Sequence, residues 1–144
     1  MSLPQSCADQ VLDKLGIDRP EDLELLEAIA WERGAMVRHN KLDGAEARLM
    51  VMGRRAIITI STAVQNPHRR RFNIAHELGH LEMHRYQTNS SICTSQDLNQ
   101  WDNRDKNNAI ELQANEFAAA FLLPQRFFAD LCRIEPPSLN FIAS

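Results

Sequence analysis

Apolar residues recur along this chain with two different periods. In the first part Cys7, Val11, Leu12 and Leu15 fall on one face of a helix over about residues 5–15, which Gly16 ends. A second helix starts at Asp18 before Pro20, with Leu23, Leu26, Ile29 and Ala30 as its buried stripe and Gly34 as its stop. Trp31, near its end, is expected in the core. From Met36 the texture changes. "MVRHNKL", "EARLMVM" and "RAIITIS" are short runs rich in β-branched residues, separated by "DGA" and "GRR". They read as three strands, antiparallel, the last two joined as a hairpin near Gly53 and Arg54.

The longer period then returns. Asn66 caps a helix with Pro67 at its first position, running to about His84. Residues 86–104, "YQTNSSICTSQDLNQWDNR", lack helical period and read as a long loop. A fourth main helix, about 105–122, carries Ile110, Ala114, Phe117 and Phe121 as its apolar stripe. Pro124 breaks it, and "QRFFADLCRI" reads as a short final helix before a tail with Pro136 and Pro137. The expected architecture is α+β: a helical domain with a small three-stranded, mostly antiparallel sheet. One domain spans 1–144, with its core at about 20–132 and a tail at 133–144.

Composition narrows this picture a little. With 144 residues, 44% hydrophobic and 24% charged, the chain can bury a core without staples. A formal net charge of −3 argues against direct nucleic-acid binding, which asks for a basic excess. No apolar run approaches the ~20 residues of a membrane span. "MSLPQSCADQ" has neither a basic nor an apolar leader region. Cys7, Cys93 and Cys132 suit reduced thiols, so a cytoplasmic location is expected.

The chemistry concentrates in "HELGHLEMHRY", His76 to Tyr86. His76 and His80, at i and i+4, project from one helical face one turn apart, as two imidazoles on one zinc ion require. Glu77, about 100° around the helix, is placed to reach a water on the metal and not to ligate. A surface helix that happens to carry these three residues is the bland alternative. Phe72, Ala75, Leu78, Gly79 and Met83 around them speak for a packed element. Gly79 costs about 1 kcal/mol of helix stability against Ala, a cost that fits close approach of another backbone.

A third ligand must come from elsewhere. His84 lies two turns from His76, about 12 Å along the axis, too far for a straight helix to bring three imidazoles to one ion. The longer H-E-x-x-H-x-x-G-x-x-H pattern fails, because Met83 and Tyr86 stand at its later positions. Cys93, Asp97, Asp102 and Asp105 in or beside the loop are possible. So are Glu111 and Glu116 on the fourth helix. Spacing favours Glu111, which flanks the apolar stripe beside Ala114 and Ala118, whereas Glu116 projects away from it. An exposed helical glutamate fits the spacing of Glu111 nearly as well.

Two stretches add more. "RRRFNIAHELGHLEMHR", Arg69 to Arg85, resembles the first signature of the ImmA/IrrE family of zinc metallopeptidases. Glu111-x-x-Ala114-Asn115-x-Phe117-Ala118-Ala119, followed by Leu122-Leu123-Pro124, resembles the second, with Leu123 where that family commonly has methionine. The likeness runs more loosely from about Pro20 to Pro124. It implies a zincin-like active-site helix, one zinc ion per chain, Glu111 as third ligand and Glu77 as catalytic base. Asn115 stands where such enzymes place a polar residue able to orient a histidine ligand. Tyr86 and His84 are the nearest candidates in sequence for an oxyanion donor or a supporting contact.

Two imidazoles and a carboxylate leave one position on zinc for water, from which Glu77 would take a proton and pass it to a leaving amine. The resemblance implies a protein substrate, a helix-turn-helix repressor of a mobile element, phage or stress operon. The chain has no helix-turn-helix of its own, since strand-like sequence follows Gly34. The rival is a catalytically silent zinc-binding module that regulates a repressor by binding. Intact Glu77 speaks against it. Three lesser features remain. Arg69, Arg70 and Arg71 sit early in a helix, where the macrodipole disfavours them, and are expected in solvent. Trp101 in the loop could cover the site or dock a partner. Cys93 reads as a free thiol. Oligomeric state is not legible.

Overall fold

A computed structural model describes residues 2–84, 90–93 and 106–127. Helix α1 (Leu3–Leu15) starts at Ser2, whose hydroxyl accepts from the Gln5 backbone while the Gln5 side chain accepts from the Ser2 amide. It ends at Gly16 in the left-handed conformation, φ 67°. The second helical stretch is divided: a 3-10 turn (Pro20–Glu24) and α2 (Leu26–Glu32) meet at Leu25. Leu23, Leu26, Ile29 and Ala30 are all buried, so the stripe holds although the helix breaks.

Trp31 is not in the core. It is 58% exposed. It follows Ala30 by one residue, hence about 100° around α2 from the buried stripe.

Strands β1 (Ala35–Asn40), β2 (Ala47–Met52) and β3 (Arg55–Ser61) match the three apolar runs. A fourth, β4 (Ser90–Cys93), comes from the stretch expected as loop, and the sheet order is β1-β3-β2-β4. "SSIC" has no apolar alternation; its strand is defined by backbone pairing to β2, which leaves no periodic signal. The hairpin of β2 and β3 is as expected, with Ala47 opposite Ile60 and Met52 opposite Arg55. Strand β1 differs. It runs parallel to β3, Ala35 opposite Ala56, so the sheet is mixed. Strand β3 is buried almost throughout, with Ile58 and Ile60 inaccessible, and the most apolar strand takes the centre where both neighbours cover it.

Helix α3 (Pro67–His84) packs on the inner face of β2 and β3. Asn66 caps it, its Oδ1 accepting from the His68 and Arg69 amides at 2.9 and 3.3 Å. Helix α4 (Lys106–Leu122) lies between α3 and α1. Ala114, Phe117 and Phe121 of its stripe are inaccessible; Ile110 is partly exposed. Ala8, Val11 and Leu12 of α1 close the core over it. Residues 125–127 begin a further helical turn. The rest of the expected final helix, the tail at 133–144, Tyr86 and Trp101 lie outside the described residues.

Two of the three arginines at the start of α3, Arg69 and Arg71, are engaged, not merely solvated. Arg69 pairs through two nitrogens with Glu46, at 2.9 and 3.0 Å, and Arg71 donates to the Leu23 carbonyl at 3.1 Å. Arg33 of the α2 terminus likewise grips Glu82, at 2.7 and 2.9 Å. These contacts fix α3 to the 3-10 turn, the end of α2 and the segment entering β2. Among the described residues, no helix is long and apolar enough to cross a membrane.

Candidate active site

Residues 73–81 of α3 are buried without interruption. A helix buried on every side would ordinarily be apolar throughout, yet this stretch contains Asn73, His76, Glu77 and His80. Spaced at i, i+3, i+4 and i+7, they share one face. Buried polar groups in such number need partners, and α4 supplies them to the two histidines.

Three ligand-type atoms converge. His76 Nε2 lies 2.9 Å from Glu111 Oε2 and 3.1 Å from His80 Nε2, and His80 Nε2 lies 3.3 Å from Glu111 Oε1. Donors about 2.0–2.2 Å from one tetrahedral ion stand about 3.3 Å apart, so the spacing fits a shared metal with little adjustment. The two imidazoles meet nearly edge to face, their planes 82° apart. Burial pushes the Glu111 carboxyl up, but the imidazoles of His76 and His80 within hydrogen-bonding distance outweigh it and hold it at about 2. It is therefore a carboxylate at neutral pH, available as a ligand.

The far ring nitrogens are also engaged. His76 Nδ1 lies 2.8 Å from Asn115 Oδ1, which has only lone pairs to offer, so the ring donates there and turns Nε2 toward Glu111. His80 Nδ1 lies 3.0 Å from His84 Nδ1, and His84 Nε2 lies 2.8 Å from Gln113 Oε1. Burial lowers the His84 ring below the usual histidine value. With both nitrogens occupied, His84 is not an oxyanion donor, and it is not in the convergent set either. His76, His80 and Glu111 can together hold a metal ion; their donor atoms lie within 4.8 Å of one another. Two imidazole lone pairs and a carboxylate aimed at one point repel each other unless a cation or protons sit between them, which is the chemical demand for a metal.

Glu77 is fully buried beside this set, on the helix that carries both histidines. Glu116 is not part of the described cluster; Asp97, Asp102, Asp105 and the side chain of Cys93 lie outside the described residues. Asn73 and Gln113 were passed over in the sequence. Asn73 helps lower the pKa of the Glu46 carboxyl, behind the larger effect of Arg69. The i−3 spacing of Asn73 from His76 is a signal that could have found it; Gln113 has none in a single chain.

Gly79 meets what its presence implies. A Cβ there would stand 3.0 Å from Phe117 Cδ1 and 3.1 Å from Phe117 Cβ. The close approach is a side chain seated on α4, which brings Glu111 and Asn115 within reach of α3.

Fold and site together define an α+β protein with a helix-borne histidine pair, a buried glutamate between them and a carboxylate from the facing helix. That is the class of metallopeptidase-like proteins. The chain belongs to the ImmA/IrrE peptidase family: the profile described as the IrrE N-terminal-like domain of peptidase M78 matches residues 30–133. No curated protein matches the chain.

Proposed function

We propose that this chain is a zinc-dependent endopeptidase in which His76, His80 and Glu111 hold the ion and Glu77 is the general base. The observation that carries the reading is the convergence of three ligand atoms, at 2.9, 3.1 and 3.3 Å, beside a wholly buried second acid, Glu77. A carboxylate is costly to bury, and a nearby divalent cation offsets that cost.

When bound, zinc would supply Lewis acidity, polarising a peptide carbonyl and making an attacking water acidic near neutral pH. The residues do the rest. Glu77 accepts the proton of the attacking water at a carboxylate oxygen and returns it to the leaving amine nitrogen. Asn115 holds the His76 ring by its Nδ1–H, so that Nε2 faces the site. Burial of both rings keeps competing water from their lone pairs.

Membership of a peptidase family speaks for a protein substrate, and the resemblance of the two signatures points to a helix-turn-helix repressor encoded as a separate chain. Glu77 weighs against the rival reading of a silent binding module, since pure binding has no use for a buried acid beside a metal. The test is incubation of the zinc-loaded chain with the repressor encoded nearest to it. One discrete cut by wild type and none by Glu77→Gln supports the proposal. An uncut repressor held in a stable complex by both proteins supports the binding module.

A further inference from the structure

We propose that His84 and Gln113 form a relay that positions His80: Gln113 sets the tautomer of His84, and His84 sets the tautomer and ring orientation of His80. The inference rests on His76, His80 and Glu111 being the ligand set.

The direction of the relay follows from the atoms. His80 turns Nε2 toward Glu111 and His76, so that nitrogen must keep its lone pair to ligate. A neutral His80 therefore carries its proton on Nδ1. The group 3.0 Å away is His84 Nδ1, which can accept that proton's hydrogen bond only if it is itself unprotonated. The proton of His84 then belongs on Nε2, where Gln113 Oε1 accepts it at 2.8 Å. With the glutamine amide turned over, each proton would shift by one nitrogen and His80 would present N–H to the metal position. The relay is thus determined by one amide oxygen on α4.

The geometry also explains a spacing. His76, His80 and His84 repeat every four residues, and only the first two can reach one ion. The third lies behind the second, ring centroids 5.2 Å apart and planes 53° to each other, and is 2% exposed. A histidine merely filling space there would not need an aligned partner on each nitrogen. His76 has its own support in Asn115, so each ligand imidazole is oriented by a different α4 side chain, one directly and one through His84. Partners of this kind change metal affinity by about 10- to 100-fold when removed.

The test reads zinc affinity by competition with a chromophoric chelator, on the full chain, beside the melting temperature of each metal-free protein. His84→Leu removes the acceptor and is expected to weaken zinc binding about 10- to 100-fold. His84→Asn keeps an amide oxygen near the place of Nδ1 and is expected to recover most of that loss. A role in packing alone would lower the metal-free melting temperature of both variants without separating their affinities. Equal affinity of the two variants, or wild-type affinity in His84→Leu, overturns the relay. If His84→Leu does not fold, Gln113→Leu decides: weaker zinc binding supports the relay and unchanged binding overturns it. Failure of the ligand set itself looks different, because wild type would then take up no zinc.

Discussion

At the scale of single residues, the two acids of the site, Glu111 and Glu77, divide between two kinds of work. Glu111 contributes negative charge to the site, with a pKa of about 2, and its removal leaves two neutral imidazoles that cannot hold a divalent ion well. Glu111→Ala is expected to purify without bound zinc where wild type carries about one ion per chain, as read by atomic emission. On the proposed reading Glu77 contributes proton transfer and no ligand atom. Glu77→Gln should keep its zinc and lose about 10²- to 10⁴-fold in cleavage rate. Zinc lost together with activity in Glu77→Gln would assign that acid to the ligand set instead. Trp31 shows how a single position escapes a pattern. One residue beyond the stripe of α2, it turned outward although its size and neighbours favoured the core.

At the scale of elements, α3 is held by packing around its buried middle and by ion pairs near its ends. Against Phe117, a methyl at Gly79 would have to displace a Cβ fixed to the α4 backbone, so the contact cannot relax by a rotamer change. Overpacking costs about 1–3 kcal/mol, against about 1 kcal/mol gained from helix propensity. Gly79→Ala is accordingly expected to lower stability by about 1 kcal/mol, or about 2–4 °C in melting temperature. A gain in stability would show that α3 and α4 can move apart. The Glu46–Arg69 pair anchors the start of α3 to the segment entering β2. Its hydrogen bonds from Arg69 hold the Glu46 carboxyl below its ordinary value of 4.5. A depressed folded-state value stabilises the protein above the unfolded value and is lost as pH falls through the folded one. Glu46→Gln should therefore cost about 1–2 kcal/mol at pH 7, and the difference from wild type should shrink as pH falls from about 4.5. Urea unfolding at several pH values measures this; a gap that stays constant through acid would assign the cost to packing.

At the scale of the whole molecule, the family match begins at residue 30, yet the core does not. Ala8 and Leu12 are inaccessible, and α1 closes over the side of α4 away from the site. Arg126 ties the two ends of the described chain by a 2.6 Å pair to Asp13. Leu12→Ala opens a cavity in this layer and is expected to cost about 2–5 kcal/mol. Below its lowered melting transition the variant should still load zinc with wild-type affinity, because α1 supplies no ligand or partner to one. Weakened zinc binding in the folded variant would mean that α1 sets the position of α4 and not merely its stability.

Much of this protein was legible before any coordinates. Period-3.6 and period-2 stripes located α1, α3, α4 and the three apolar strands, because burial of a repeated face is a local property of the chain. The i, i+4 histidines and adjacent Glu77 were legible for the same reason: a helix fixes their relation whatever surrounds it. The partners across space were not. Spacing left Glu111 open among several acids, and only the packing of Phe117 on Gly79 brings α4 close enough to place its carboxylate between the two rings. The parallel pairing of β1, the short strand β4 and the engagement of His84 by Gln113 carry no periodic trace. Each depends on which backbone or side chain lies opposite, a choice made when the elements dock and written in no single stretch of residues.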